Sequence, residues 1–246
     1  MAGAPITHIL FDCDNTLVLS EALAFEACAD LSNQILASKN IQANYTGEQL
    51  LSEFVGQNFR GMLGSLQKKH NFEIPQDELQ KYVSMEEDRV IEKLKAKLQP
   101  CEGVDEQLAA LAKSGKYELA VVSSSAHRRV MASIEKANQA QYFPPEKVFS
   151  AATSLPTPTS KPDPAIYLHA CKTLGAEPAK CVAVEDSKSG SLSAVRAGIP
   201  VIAYVGSYET EEKRKEMAQL LTEVGAKVVM NDWAEFPACM KSIEEL

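Results

Sequence analysis

Asp12 and Asp14 stand one residue apart where an apolar run ends, in the stretch "HILFDCDNTL". Two carboxylates this close repel each other and are costly to desolvate. The pair is tolerable where it faces water, where it binds a cation, or where one member reacts. Other polar groups punctuate the chain downstream. Ser123, Ser124 and Ser125 close "YELAVVSSS", Lys161 lies in "SKPDP", and Glu185, Asp186 and Ser187 close "CVAVEDS". Gathered in one pocket, they would supply four carboxylates, several hydroxyls and one ammonium. That set suits phosphoryl transfer. Clustered carboxylate oxygens suit Mg²⁺, a hard cation that would offset their repulsion and draw in a phosphate. One carboxylate can then serve as nucleophile and form an aspartyl-phosphate. A second, kept off the metal, can give a proton to a leaving alcohol. Lysine and hydroxyl donors would stabilise charge on the transferring group.

The elements that must position these residues can be read from apolar spacing. "THILFD" reads as a short buried strand. From there to "QPCEGV", where Pro100 and Gly103 break the pattern, four segments show helical spacing. They are "EALAFEACADLSNQIL", "GEQLLSEFVG", "NFRGMLGSLQKKH" and "QDELQKYVSMEEDRVIEKLKAKL". In the last, Leu79, Val83, Val90, Leu94 and Leu98 share one face. Strand and helix then alternate: a helix at "VDEQLAALAKSG" with Gly115 as its cap, a strand at "YELAVVSSS", a helix at "AHRRVMASIEKANQ", and a strand at "KVFSA". The four-proline loop "SLPTPTSKPDP" follows. A helix at "DPAIYLHACKTLG", a strand at "CVAVEDS", a helix at "SGSLSAVRAG" ending near Gly198, and strands at "PVIAYV" and "AKVVMND" complete the pattern. Alternation of this kind implies a doubly wound parallel sheet, an α/β Rossmann-like core. The expected division is a core of 1–18 and 99–246 with an all-helical insert at 19–98. In an open parallel sheet, ligands bind beyond the carboxyl ends of the strands, where the polar residues fall.

Composition narrows the function further. The 246 residues carry a formal net charge of −8, which disfavours nucleic acid and anionic membrane as partners. "MAGAPITHIL" lacks the basic start and apolar stretch of a signal peptide, and no run reaches membrane-spanning length. The six cysteines show no metal-binding spacing, so they read as small core residues of a reduced, cytoplasmic protein. A small phosphomonoester is the expected partner, and the sequence leaves the oligomeric state open, with a monomer compatible.

Taken together and in order, "DCDNT", "VVSSS", "SKPDP" and "VEDS" resemble the four motifs of the haloacid dehalogenase superfamily, in the branch with a helical cap inserted after the first strand. The resemblance covers nearly the whole chain and implies roles residue by residue. Asp12 would be the nucleophile and a metal ligand. Asp14 would be the general acid and base, with its carbonyl on the metal. Ser123 would hydrogen-bond the phosphoryl oxygens, with Ser124 beside it, and Lys161 would bridge nucleophile and phosphate. Asp186 would hold Mg²⁺ directly, and Glu185 directly or through water. Asn15 departs from the family's usual glycine, but asparagine tolerates the left-handed backbone the turn needs.

Position 14 separates the reactions within that superfamily. Dehalogenases and phosphonatases lack the second aspartate, whereas phosphatases and phosphomutases keep it. Mutases resembling β-phosphoglucomutase carry a histidine where Ala24 stands here, so hydrolysis is favoured over a mutase; the complete motif set argues against a non-catalytic phosphate sensor. In "FVGQNFRGML", Gly56 permits a tight turn, and Gln57, Asn58 and Arg60 are the candidates to read a polyol or sugar phosphate. The cap would close over the site on hinges near Leu19–Glu21 and Gln99–Pro100.

Each motif also has a plain reading. Asp12 and Asp14 could line a calcium loop, but that pattern fails at Thr16 and Leu17. One of Ser123 to Ser125 is expected to cap the following helix, which His127 and Arg128 would open as solvated residues. Lys161 alone would be a surface lysine, and Glu185 and Asp186 alone could begin a helix.

Overall fold

The computed structural model describes residues 5–54 and 57–245; Gly56, the expected turn glycine, lies outside them. Ser20–Leu98 form one compact unit, and the described residues on either side of that stretch form the other.

In the second unit, β1 (His8–Phe11), β2 (Glu118–Ser123), β3 (Val148–Ser150), β4 (Cys181–Glu185), β5 (Val201–Tyr204) and β6 (Val228–Met230) form one sheet in the order β3-β2-β1-β4-β5-β6. All pairings are parallel. Parallel strands are covered on both faces, which is why β2, β4 and β5 are nearly unbroken apolar runs. Strand periodicity sends alternate residues to opposite sides. Leu10, Ala120, Val122, Ala183 and Ala203 join Ile166 and Tyr167 of α7 (Ala165–Leu174), Ala194 of α8 (Lys188–Arg196), and Met217 and Leu221 of α9 (Glu211–Glu223). Phe11 instead meets Phe143, Trp233 and Phe236, with ring centroids 5.8, 6.1 and 6.3 Å away. Full burial of a phenylalanine such as Phe11 contributes roughly 1.5–3 kcal/mol. Three more helices complete this unit: α5 (Val104–Ser114), α6 (His127–Lys136) and α10 (Phe236–Glu244). α5 ends on Gly115 in the left-handed conformation, as its spacing implies.

The order of strands matters for function. The chain leaves β1 toward β2 and β3 on one side, then crosses back to lay β4, β5 and β6 on the other. The crevice between β1 and β4 is the topological switch point, where doubly wound sheets bind ligands.

The helical unit comprises α1 (Glu21–Ser38), α2 (Gly47–Glu53), α3 (Phe59–His70) and α4 (Gln76–Lys97). Its core gathers Leu31 and Ile35 of α1, Leu50 of α2, and Met62, Leu63 and Leu66 of α3. On α4, Val90 and Leu94 are buried as the spacing implies, while Leu79 and Val83 are half-buried against that core. Gly47 lets α2 approach α1 closely, since a Cβ there would lie 2.8 Å from the Glu26 nitrogen. The chain enters and leaves this unit side by side, with the Leu19 N–H donating to the Gln99 carbonyl at 2.9 Å.

Among the described residues, no helix is long and apolar enough to cross a membrane. All six cysteines are buried and none forms a disulfide. The main element that periodicity passes over is α9. Only Met217 and Leu221 of its residues are buried, so its apolar stripe is too narrow to register, although Thr210 caps it.

Candidate active site

The sheet register builds the site. Phe11 lies opposite Val121 of β2 and Val184 of β4. The next residue, Asp12, is therefore level with Glu185, and its N–H donates to the Val184 carbonyl at 2.9 Å. The proline-rich loop brings Lys161 to the same place. Its ammonium donates to Asp12 Oδ1 (2.6 Å), Glu185 Oε1 (2.6 Å) and the Val122 carbonyl (2.7 Å), which uses all three of its N–H donors. The Lys161 side chain is only 3% exposed and that of Glu185 not at all. Tyr167 of α7 donates its hydroxyl to the same Glu185 oxygen, and its ring centre lies 5.3 Å from Lys161 Nζ.

Burial pushes the Asp12 carboxyl up, to about 8, against the pull of Lys161; Glu185 and Asp14 push the same way as burial. Burial alone would depress Lys161, but Asp12 and Glu185 hold its ammonium above the ordinary lysine range. The thiol of Cys13, between the two aspartates, is driven well up by burial and by Asp14 and Asp12. It is therefore no thiolate nucleophile.

Asp12, Glu185 and Asp186 each offer a carboxylate oxygen within 4.8 Å of the others. When all three are ionised, these carboxylates against one ammonium leave two negative charges in a desolvated corner, the charge that one divalent cation cancels. Glu185 Oε2 is buried and has no hydrogen-bond partner. An all-oxygen donor set with that charge balance fits Mg²⁺. Backbone geometry protects it. A Cβ on Gly190 of α8 would lie 1.8 Å from Glu185 Oε2, so the glycine makes room for the carboxylate. Helix α8 begins only at Lys188, capped by Ser187, whose hydroxyl accepts from the Gly190 N–H at 3.1 Å. Thr16 Oγ1 lies 3.5 Å from Asp186 Oδ1, and the Tyr208 hydroxyl donates to the Asp186 carbonyl at 3.1 Å.

The Asp14 carboxylate takes different partners. Ser125 Oγ donates to its Oδ2 at 2.7 Å, and Arg129 Nη2 lies 3.6 Å from its Oδ1. Asn15 adopts the left-handed conformation (φ 58°), and its N–H closes the turn on the Val18 carbonyl at 2.7 Å.

The serines correct one expectation. None of them caps α6; its N-cap is Ala126, which makes no side-chain cap. Their hydroxyls are taken by the strand-end loops instead. Ser123 Oγ accepts from the Ser125 N–H (3.0 Å), Ser124 Oγ accepts from the Lys161 N–H (3.2 Å), and Ser125 donates to Asp14. Ser123 is buried, whereas Ser124 is exposed. His127 does open α6; its N–H donates to Thr153 Oγ1 at 3.3 Å.

In the helical unit, the three candidates each have a local partner. Gln57 Oε1 accepts from Ser65 Oγ at 2.9 Å, Asn58 Oδ1 caps α3 by accepting from the Gly61 N–H at 2.9 Å, and Arg60 donates to Gln80. Sequence reasoning missed Tyr167, Arg129 and Gly190 as site residues. Tyr167 and Gly190 follow their motifs by six and four positions, inside segments that read simply as helix, so spacing from Lys161 and Asp186 was the available signal.

Comparison with known proteins places the chain. The model of a family described as haloacid dehalogenase-like hydrolase matches residues 9–204. The 6-phosphogluconate phosphatase of Escherichia coli (strain K12) is 26% identical over 199 residues, which is 81% of this chain and 82% of that protein. A phosphorylated carbohydrates phosphatase of Thermotoga maritima is 31% identical, over 78% of this chain and 81% of that one. A hydrolase of the same family from Deinococcus radiodurans R1, solved with bound phosphate and sodium, superposes with a TM-score of 0.72. It is 26% identical, and the match covers 99% of this chain and 98% of that one.

Proposed function

Because this chain belongs to the haloacid dehalogenase-like hydrolases and is a phosphatase among them, we propose that it hydrolyses a small sugar or polyol phosphomonoester through an aspartyl-phosphate. The observation that carries this reading is the Lys161 ammonium held between Asp12 and Glu185, with Asp186 completing the carboxylate cluster.

Asp12 attacks phosphorus through a carboxylate oxygen, and the bond from phosphorus to the ester oxygen breaks. Asp14, protonated beforehand, passes its proton to that leaving oxygen. It then takes a proton from the water that attacks the aspartyl-phosphate, which releases inorganic phosphate and restores both carboxyl groups. Lys161 orients Asp12 and faces the charge that builds on the transferring group, and Ser123 and Ser124 add hydroxyl donors. Asp12, Glu185, Asp186 and the Asp14 carbonyl would hold Mg²⁺, which neutralises phosphate charge when bound. The substrate class is supported by two relatives, one named for 6-phosphogluconate and the other for phosphorylated carbohydrates. Selection among such substrates is assigned to the helical unit.

The test is phosphate release, with Mg²⁺ and with EDTA, from a panel containing 6-phosphogluconate, hexose phosphates and polyol phosphates. Release that needs Mg²⁺ and disappears in a folded Asp12→Asn variant is the expected result. Two outcomes would overturn it. Interconversion of sugar phosphate isomers on adding a sugar bisphosphate makes the protein a mutase. Phosphate binding with no turnover of any panel member makes it a sensor.

A further inference from the structure

The Lys161 network leaves one ion pair at the strand ends without a task. Arg129 lies on the first turn of α6, with Nη2 3.6 Å from Asp14 Oδ1, and the two side chains are only 21% and 26% exposed. Ser125 Oγ donates to the other oxygen, Oδ2, at 2.7 Å. Ser125 is itself braced at both ends of its peptide. Its N–H donates to Ser123 Oγ at 3.0 Å, and its carbonyl accepts from Ser150 Oγ at 2.7 Å. Ser123 and Ser150 are the last residues of β2 and β3, so the hydroxyl that grips Asp14 is anchored on two strands of the sheet.

One short hydrogen bond fixes one carboxylate oxygen and leaves the group able to swing about it. A second contact on the other oxygen sets the plane of the carboxylate. A proton donor works only when its oxygen is aimed at the accepting atom, and small errors in aim cost large factors in rate. We propose that Ser125 and Arg129 are positioning residues for Asp14, holding its carboxyl on the line of the leaving oxygen. This rests on the acid–base role proposed for Asp14. An ordinary exposed ion pair would contribute little and would have no bearing on catalysis. The Ser125 anchor on two strand ends is what sets this pair apart.

The role has a signature that a structural contact lacks. An alkoxide leaving from an alkyl phosphate needs the proton, whereas 4-nitrophenolate departs without it. The parameter kcat/KM reports the half-reaction in which the alcohol leaves. It should be measured for the best alkyl phosphate of the panel and for 4-nitrophenyl phosphate, with Asp14→Asn, Arg129→Met, Arg129→Lys and Ser125→Ala. The expected result is a fall of about tenfold or more on the alkyl substrate for Arg129→Met and Ser125→Ala. The aryl substrate should fall less than about threefold, and Arg129→Lys should recover part of the loss. An equal fall on both substrates, tracking a lower melting temperature, would make the pair structural and overturn the proposal. Should Arg129→Met not fold, Ser125→Ala decides alone. If Asp14→Asn itself shows no alkyl-against-aryl split, the acid–base reading falls and takes this one with it. If Asp14→Asn shows the split and the other variants do not, only the positioning role is lost.

Discussion

In the α/β unit, Lys161 reaches 149 positions back along the chain to Asp12, Thr16 reaches 170 forward to Asp186, and Ser125 reaches 111 back to Asp14. In the helical unit, Asn58 is engaged 3 positions away, Gln57 by a residue 8 away, and Arg60 by one 20 away. The local contacts form as soon as a helix or a helix pair does, and they satisfy groups that would otherwise be loose. The distant ones require the whole sheet, and they bury charge that water would hold at lower cost. Buried ion clusters are weak evidence for stability, and perturbed carboxylates gathered at a cleft are the mark of a functional site. Remoteness alone does not mark chemistry, since the exposed Lys116–Glu244 pair spans 128 positions; buried charges gathered from remote parts of the chain do.

The hardest blow to that contrast is Lys161→Met. It leaves Asp12 and Glu185 buried with no cation between them, and a broken buried pair costs about 3–5 kcal/mol. Turnover should fall at least about a hundredfold, the scale for losing a preorganised charge donor. Urea denaturation in EDTA and phosphate release in Mg²⁺ check the two halves. A variant as stable as the parent would mean that the carboxylates are not as desolvated as the burial implies.

A matched pair of glycines tests one unit against the other. Gly190→Ala drives a methyl group into Glu185, and Gly47→Ala drives one into the backbone of α1. Overpacking costs about 1–3 kcal/mol in either place. Only Gly190→Ala should also cut turnover, because only it displaces a residue of the carboxylate cluster. Equal losses of activity at equal loss of stability would erase the distinction between the units.

How much of this was legible beforehand follows the same division. Asp12, Ser123 and Glu185 could be placed because each lies at a strand end, and strand ends in a doubly wound sheet have a known common edge. Lys161 lies in the loop between β3 and α7, so only its motif pointed to the same place. Tyr167 could not be placed, because its helical segment "AIYLHACKTL" reads as apolar packing and only the folded structure turns its hydroxyl onto Glu185. The serines misled because a hydroxyl before a helix is the standard N-cap, and nothing local says that Asp14 and the Lys161 loop claim these hydroxyls first. In the helical unit, Asn58 read as a substrate contact and as the first residue of a helix, yet its side chain caps that helix.

Smaller effects probe the helical unit itself. Asn58→Ala removes the cap of α3 and should cost about 1 kcal/mol, read by urea denaturation, with little change in kcat. Arg60 donates to Gln80, and its guanidinium carries further N–H donors that a phosphate or sugar hydroxyl would take if Arg60 reads the substrate as proposed. Arg60→Ala should therefore raise KM for a sugar phosphate severalfold while changing stability by less than about 0.5 kcal/mol. An unchanged KM would assign Arg60 wholly to the scaffold.

The smallest expected effects separate the two units by pH. His8, on β1, is held below the usual histidine range of 6.5 by burial and by Lys147, with Glu118 opposing. The unfolded chain then takes up that proton before the folded one does. Stability is full above 6.5 and falls as the pH drops toward the lowered value. Glu26, on α1, is held below the glutamate range of 4.5 by hydrogen bonds from Lys93 and Lys97. Its contribution is intact above 4.5 and is lost as the pH falls through its own lowered value. Melting temperature against pH should therefore decline in two stages. His8→Gln should flatten the upper stage and leave the lower, and Glu26→Gln should shrink the lower stage, which Glu118 and Glu244 share because lysine partners hold them below the glutamate range too. Salt distinguishes them again. The Glu26 side chain is 42% exposed, so its stage should shrink in 1 M NaCl, whereas the His8 stage, set by desolvation, should persist.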